Sequence, residues 1–400
     1  MKKASFIIRG TILLSVIFLS IGTSTEYAES AWKWPETFTV MTHGPTGETY
    51  TLTAVWSPLL GQKTGTKVRQ MPEWSDALRF NNLRTGKIDT TTQSASAIAH
   101  QTEATHTYAT RDGGPFQSRV LWISNITGFA PMVSGSSSIK TIHDLKPGVK
   151  FAYGASYGAT AVESANAVAA WAGLKPKDIV MVPFANIVMT GMAVTTGKAD
   201  VTYMLVTAGY TFKYEKARGG VRYLELDDKK DPEGAKRYLA VRPLGNFGIP
   251  SQHKTPPSAK GISMIITPGY YVVDESMDPE LAYNVAKWLN ENYGAYKDKH
   301  KSSPEISLSS FRKNVDTIYF PLHEGVIRYL KELGQWTSKD DQRQAYNVGL
   351  VTRYEKAYKA AIAQADQKGI EVKPENKAWI ALWNSYKKEI PRFHKMDTVP

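Results

Sequence analysis

The sequence predicts an α/β protein of two matched lobes with a ligand cleft between them and a helical extension at the C-terminus. The stretch Phe151 to Leu174, FAYGASYGATAVESANAVAAWAGL, carries the first observation. An apolar run, Val149 to Tyr153, reads as a buried strand, followed by a small-residue turn and an alanine-rich helix that stops at Gly173. The first N–H groups of a helix lack partners and its dipole favours negative charge, so such a turn holds anions. The second observation is that this element has a twin 111 residues earlier. Gly47 falls on Gly158, Thr49 on Thr160, Pro72 on Pro183, and Thr85-Gly86-Lys87-Ile88-Asp89 on Thr196-Gly197-Lys198-Ala199-Asp200, without a gap. The third is size: 400 residues at 42% hydrophobic composition suit two domains plus an appendage.

Taken in order, Phe38 to Met41 is the first strand, and His43 to Thr49 the first ligand-type loop. A helix runs from about Tyr50 to Leu60, with Pro58 inside it. Lys67 to Met71 is a strand, Ser75 caps the helix Asp76 to Arg84, and Asp89 to Gln93 is a third strand. Arg119 to Asn125 is another strand, leading through Gly128 to Pro131–Val133, where the chain first crosses between lobes. Ile179 to Val182 and Val201 to Val206 complete the second copy. The turn-rich segment 249–261 returns the chain through the strand Ile262 to Ile266. Asp278 caps a helix to about Tyr293, and Val326 to Leu333 is a further helix. Two amphipathic helices follow, about 340–367 and 375–389, and the stripe Tyr346, Val351, Tyr354, Tyr358 and Ala361 packs on the body.

Residues 1–30 read as a cleaved secretory signal: Lys2, Lys3 and Arg9, an apolar run from Ile12 to Ile21, and Ala28-Glu29-Ser30 as the cleavage site. The run is short for a membrane span, which places the mature chain in the periplasm. The chain has no cysteine, which excludes disulfides, thiol catalysis and cysteine metal sites. The formal charge is +12, and removing the signal, with three basic and two acidic residues, leaves +11. Such a charge attracts anions, but scattered lysines interleaved with acids do not make a nucleic-acid surface. The boundaries expected are 31–128 with 262–335 for the first lobe, 129–261 for the second and 336–400 for the extension.

Ligands of open α/β sheets sit beyond the carboxyl ends of the strands. That rule gathers Thr46, Gly47, Thr49, Gln93, Ser94, Ser156, Thr160, Asn186 and Thr207 about one cleft, with Tyr50, Trp74, Tyr157 and Phe184 as walls. No cluster of carboxylates and histidines accompanies them, so this chemistry holds a ligand rather than transforming it, and no cofactor or metal is expected. His43, His100, His106 and His143 lack ligand spacing. A charge-assisted hydrogen bond to a carboxylate contributes about 1.5–3 kcal/mol and a helix terminus about 0.3–2 kcal/mol. Micromolar affinity needs only about 8 kcal/mol, so two helix ends and several hydroxyls suffice without an arginine in the cleft.

At these residues the chain resembles the TAXI-type solute receptors of tripartite ATP-independent periplasmic (TRAP) transporters. The resemblance covers about residues 38–334 and rests on TGETY at 46–50, IKTIHDLKPGVKFAYGASYGAT at 139–160, AAWAGLKPKDI at 169–179 and ISLSSFRKNVDTIYFPLHEGVIRYLKELG at 306–334. It implies a two-lobed periplasmic binding protein (type II-like), a monomer that closes on a small organic anion, a carboxylate or amino acid, and hands it to TRAP membrane subunits. By position it implies Thr46, Gly47, Glu48, Thr49, Tyr50, Ser75, Gln93, Ser156, Gly158, Ala159 and Thr160 as pocket residues. Two positions depart from the family: Glu48 stands where glycine is usual, and Pro72-Glu73-Trp74-Ser75 replaces a TGGS-like turn. Glu48 repels a second carboxylate or pairs with a ligand amine, and Trp74 stacks on an aromatic ligand.

The rival reading is a secreted serine esterase. Gly154-Ala155-Ser156-Tyr157-Gly158 matches G-x-S-x-G between a strand and a helix. Ser156 is then the nucleophile, with Asp227 or Asp228 and His253 or His323 completing a triad and His43-Gly44 in an oxyanion-hole segment. The offset repeat has no role in a single-sheet hydrolase. A structural or adhesion module has only the C-terminal helices in its favour.

Overall fold

Two copies of one supersecondary unit build the sheet. In the first, strand β1 (Thr37–Thr42) leads to helix α1 (Glu48–Thr64), β2 (Lys67–Pro72), α2 (Asp76–Arg84), β3 (Thr90–Ser94) and α3 (Ala95–Thr102). A long strand, β4 (Ser118–Ser134), carries the chain to the second: β5 (Val149–Gly154), α4 (Gly158–Trp171), β6 (Ile179–Phe184), α5 (Ile187–Thr195) and β7 (Val201–Leu205). Then come β8 (Val221–Tyr223), α6 (Pro232–Val241), β9 (Asn246–Gly248) and the returning strand β10 (Met264–Asp274). Helices α7 (Pro279–Glu291), α8 (Tyr293–Tyr296), α9 (Leu308–Val315), α10 (Glu324–Glu332), α11 (Ser338–Gln367) and α12 (Lys377–Lys387) complete the chain.

This computed structural model describes Met1 and residues 32–45, 47–317 and 320–394, without the side chains of Ala159 and Gln252. The segments read as a signal peptide, and Thr46, lie outside the described residues. Residues 1–33 and 34–400 are separate units, and every strand and helix named above belongs to the second. Among the described residues no helix is long and apolar enough to cross a membrane.

The 111-residue offset holds at the level of single backbone pairs. Parallel strands β1 and β3 pair Val40 with Thr90 and Met41 with Thr91, and β5 and β7 pair Phe151 with Val201 and Ala152 with Thr202, each position 111 further on. The shared TGKxD motif has a physical role in both copies. Asp89 Oδ2 accepts from Thr39 N at 2.6 Å while its own N–H donates to Thr39 O; Asp200 does the same with Lys150. Each carboxylate ties the start of the third strand of its unit to the first strand, so the motif fixes register.

Hydrogen bonding runs through one sheet in the order β2-β1-β3-β10-β4-β7-β5-β6, with β8 on β4 and β9 on β10. The two units are joined because β4 serves both: its first half pairs with β10, and Phe129–Val133 pair with β7. β4 and β10 cross together as an antiparallel pair from Ser118 opposite Asp274 to Phe129 opposite Ile265, with register shifts at Gly269/Tyr270 and Tyr271/Val272. Both strands are longer than the sequence periodicity marks, because Gly128 and Pro131 continue β4 instead of ending it. The second unit packs Phe151, Val168, Trp171, Val201 and Tyr238 in one buried cluster and Met132, Ala152, Val194 and Met204 in another.

The C-terminal helices lie on the first unit. Trp379 Nε1 donates to Ala109 O and Trp383 Nε1 to Ala104 O, and Tyr358 OH donates to Thr110 O. The stripe Val351, Tyr354, Tyr358 and Ala361 is buried, while Tyr346 is only half-buried.

Candidate functional site

The carboxyl ends of β1, β2 and β3 from one unit, and β5, β6 and β7 from the other, open onto one cavity of about 710 Å³. Gly47, Glu48, Thr49, Trp74, Gln93, Ser94, Ser156, Tyr157, Thr160, Asn186 and Thr207 line it. Tyr50, Ser75, Gly158 and Phe184 do not. Tyr50 gives its carbonyl to Gln70 Nε2, and Ser75 caps α2 by accepting from Leu78 N. Phe184, the last residue of β6, packs against the core cluster beneath α5. Gly158 is backbone machinery: it has φ +45 and ψ −121, and a Cβ built there meets only Thr107, at 3.4 Å from Cγ2.

Two helices aim their starts at the cavity without a side-chain cap: α1, whose N-cap is Gly47, and α4, whose N-cap is Tyr157. The other helices at the rim are capped internally, α2 by Ser75, α3 by Ser94 and α5 by Asn186. The N–H groups at the starts of α1 and α4 therefore lack the side-chain acceptor that those three helices have.

The wall of the first unit is organised by Arg79, a residue that no sequence pattern singled out. Its side chain is wholly buried. Nε donates to Thr92 O at 3.2 Å and Nη1 to Glu73 O at 2.5 Å; Nη2 donates to Gln93 Oε1 at 3.3 Å, to His43 Nε2 at 3.1 Å and to Asp76. Burial, and then the Arg79 charge, hold the His43 pKa well below its ordinary value, so the ring is neutral. A guanidinium has no acceptor, so Nε2 of His43 must accept and the ring proton is assigned to Nδ1. Nδ1 then donates to Thr49 Oγ1 at 3.1 Å. The chain Arg79–His43–Thr49 orients a hydroxyl at the cavity wall and leaves its own proton to donate. Gln93 is tied by Arg79 and by its Nε2 bond to Asp76 O, so it is a wall residue with its amide already engaged. Trp74 lies across Gly44, where a Cβ would come 2.0 Å from Cε2 of the indole, and it stays half in solvent.

Glu48 corrects a second expectation. It offers no free carboxylate to a ligand amine, because Oε2 is 2.6 Å from Lys254 Nζ. Lys254, buried in the returning segment, also donates to Ile126 O at 2.8 Å and to Glu305 at 2.8 Å. Its three N–H donors are thereby used. Two carboxylates share one ammonium. Burial pushes the Glu305 carboxyl up from the usual 4.5 to about 7, against the Lys254 attraction and with the Glu48 repulsion. A folded state that holds this proton more tightly than the unfolded chain gains stability that is complete below about pH 4.5 and lost as pH rises through about 7. In urea titrations the unfolding midpoint of the wild-type chain should therefore fall from pH 4.5 to pH 8, and Glu305→Gln should flatten that fall. An unchanged slope would show that Glu305 ionises normally.

The wall of the second unit is aromatic. Phe129, Phe151, Tyr153, Tyr157, Tyr203, Tyr210 and Phe212 line the cavity. Ser156 sits in the tight turn 155–157, its N–H donating to Ala185 O at 3.2 Å. Thr207 Oγ1 accepts from Gly128 N at 3.1 Å. An arginine also lines the cavity, although helix ends and hydroxyls suffice without one: Arg242, at the C-terminal cap of α6. Nothing in its local sequence marks it, since the residues that place it come from α3 and α4.

Among the described residues, no hydrogen bond joins Ser156 Oγ to a histidine, as an esterase triad requires. His253 Nδ1 lies 2.8 Å from Ser251 Oγ; His323 caps α10 through Gly325 N, and its Nε2 faces Glu275 O. Asp227 accepts from Lys229 N and Lys230 N in its own turn. Among the described residues no group of three or more His, Cys, Asp or Glu is arranged to hold a metal ion.

Residues 42–334 match the NMT1-like family, so the chain belongs to it. No curated protein matches the chain. Among solved structures it is similar to the periplasmic aliphatic sulphonate binding protein SsuA from Escherichia coli, at 15% identity over 80% of this chain and 88% of that one, with a TM-score of 0.45. It is also similar to R. palustris Rpa4515 with adipate, at 13% identity over 76% and 98% of the two chains and a TM-score of 0.47. A third is MatC from Rhodopseudomonas palustris with bound malate, at 10% identity over 81% and 98% and a TM-score of 0.43. The α11–α12 extension lies beyond the matched residues.

Proposed function

We propose that this chain is an extracytoplasmic solute-binding protein. It captures one small organic anion in the cavity and, as the TAXI-type resemblance implies, delivers it to TRAP membrane subunits. The observation that carries this reading is the convergence of six strand ends, from two units of matched strand register, on one cavity that two uncapped helix starts also face. Residues 31–128 with 262–335 act as one lobe and 129–261 as the other, with β4 and β10 as the connection about which they close. A ligand that touches Thr49 on one wall and Thr160 on the other gains contacts only when both walls are present, which drives closure. The N-terminal signal places the mature chain in the periplasm.

Titration calorimetry against a panel of organic acids and amino acids tests the reading. A binding isotherm of one ligand per chain is expected for at least one acid. Folded protein that gives no heat with any of them would contradict it, and turnover of ester substrates would move the reading to the hydrolase.

A further inference from the structure

We infer that the cavity selects an amphipathic monoanion, one carboxylate-type oxyanion on an apolar or aromatic body, and that Arg242 is the residue that reads its charge. This rests on the solute-binding reading above.

Three long cationic side chains line the cavity: Lys254, Lys301 and Arg242. Lys254 is spent on two carboxylates and a carbonyl. Lys301 is exposed and turns its ammonium to His253 O at 3.2 Å. Arg242 differs from both. It is 3% exposed, yet no carboxylate oxygen lies within ion-pair distance of it among the described residues. Nη1 donates to Ser164 Oγ at 2.7 Å and Nη2 to Ser96 Oγ at 2.6 Å, both neutral, and Nε has no partner.

A buried guanidinium held by hydroxyls alone carries a charge that its surroundings do not cancel. Burial works against that charge, but a guanidinium does not give up its proton in a protein, so the group stays cationic. Glu163 itself is taken by Arg392 at 2.8 Å and by His100 at 3.2 Å. An incoming oxyanion is the partner this guanidinium lacks.

The surroundings set the rest of the ligand. The Arg242 guanidinium lies 5.7 Å from the Tyr203 ring centroid and 6.0 Å from that of Phe129, two stacked rings that line the cavity with Phe151 and Leu205. An apolar or aromatic body buries against such a wall. The other charged cluster on the cavity gives two carboxylates, Glu48 and Glu305, to one ammonium. It repels a second carboxylate instead of receiving it, which argues against dicarboxylates.

The test uses calorimetry on the full chain with three probes: 4-phenylbutyrate, its uncharged amide and adipate. Phenylbutyrate should bind at least tenfold more tightly than the amide and more tightly than adipate. In Arg242→Gln the acid and the amide should come within about threefold of each other, with Arg242→Lys intermediate. Retention of the full acid preference in Arg242→Gln would overturn the role of Arg242. Tighter binding of adipate, or binding of other panel acids without phenylbutyrate, would overturn the ligand class; absence of binding by every panel acid would instead remove the solute-binding reading. Should Arg242→Gln fail to fold, the wild-type guanidinium is read directly. Its Nε–H resonance, assigned with Arg242→Lys, should move with the acid and not with the amide, and a resonance that stays in place would overturn the assignment.

Discussion

Replacing Gly158 with alanine should weaken solute binding about tenfold to a hundredfold, and replacing it with aspartate should cost a similar amount. At φ +45 and ψ −121 this residue occupies backbone space that only glycine enters freely. The strain for any other residue is about 1–3 kcal/mol, and tenfold in affinity corresponds to about 1.4 kcal/mol. A Cβ meets nothing closer than Thr107 at 3.4 Å, so packing does not cause the loss. The strain is relieved by reshaping residues 155–160, which carry Ser156, Tyr157 and Thr160 to the cavity. With Gly158 off the cavity wall, the charge of an aspartate is secondary and alanine suffices. Gly148, with φ +91 and open space about its Cβ, is the control. Gly148→Ala should lower stability and leave affinity unchanged. If Gly158→Ala binds like wild type, the turn does not position the wall.

Arg79→Ala should destabilise the chain by about 3–5 kcal/mol, the cost of removing one partner from a buried ion pair. The five acceptors of Arg79 are spread over the β1–α1 loop, the β2–α2 turn, α2 and β3: His43, Glu73 O, Asp76, Thr92 O and Gln93. Arg79→Lys should recover little, because an ammonium cannot fork to acceptors in one plane. Denaturant midpoints measure the loss. A separate readout comes from His43, whose pKa Arg79 lowers together with burial. In Arg79→Lys the charge remains and His43 stays neutral near pH 7, whereas in Arg79→Met its NMR titration should move upward. A loss under about 1 kcal/mol, no more than an exposed ion pair contributes, would mean that the guanidinium is dispensable to the wall.

How much of the fold and site was legible depends on whether the signal was local. The repeat was, since Asp89 and Asp200 each bind an N–H of the strand 50 residues earlier, and that constraint leaves the same five-residue motif at both places. Ser75 and Ser94 were legible as residue types, but a cap already uses part of each hydroxyl. Tyr50 lies in the first turn of α1 and Phe184 closes β6; helical rotation at the one and strand alternation at the other turn their side chains away from the cavity. The buried cations were not legible. Arg79, Arg242 and Lys254 stand in ordinary polar stretches, and each is placed by partners far away in sequence, Lys254 by Glu48 across 206 positions. A buried cation leaves no periodicity in its own segment. Its neighbours reveal it only once the chain is folded.

Capture of a single anion in the shared cavity is tested most directly by mass spectrometry of the purified chain, first native and then after denaturation to release whatever it holds. One small acidic molecule per chain is expected, or uptake of one from a mixture of organic acids, with occupancy lost in Gly158→Asp. A folded chain that stays empty in the mixture, or that carries a cation or a neutral sugar in its place, would contradict it.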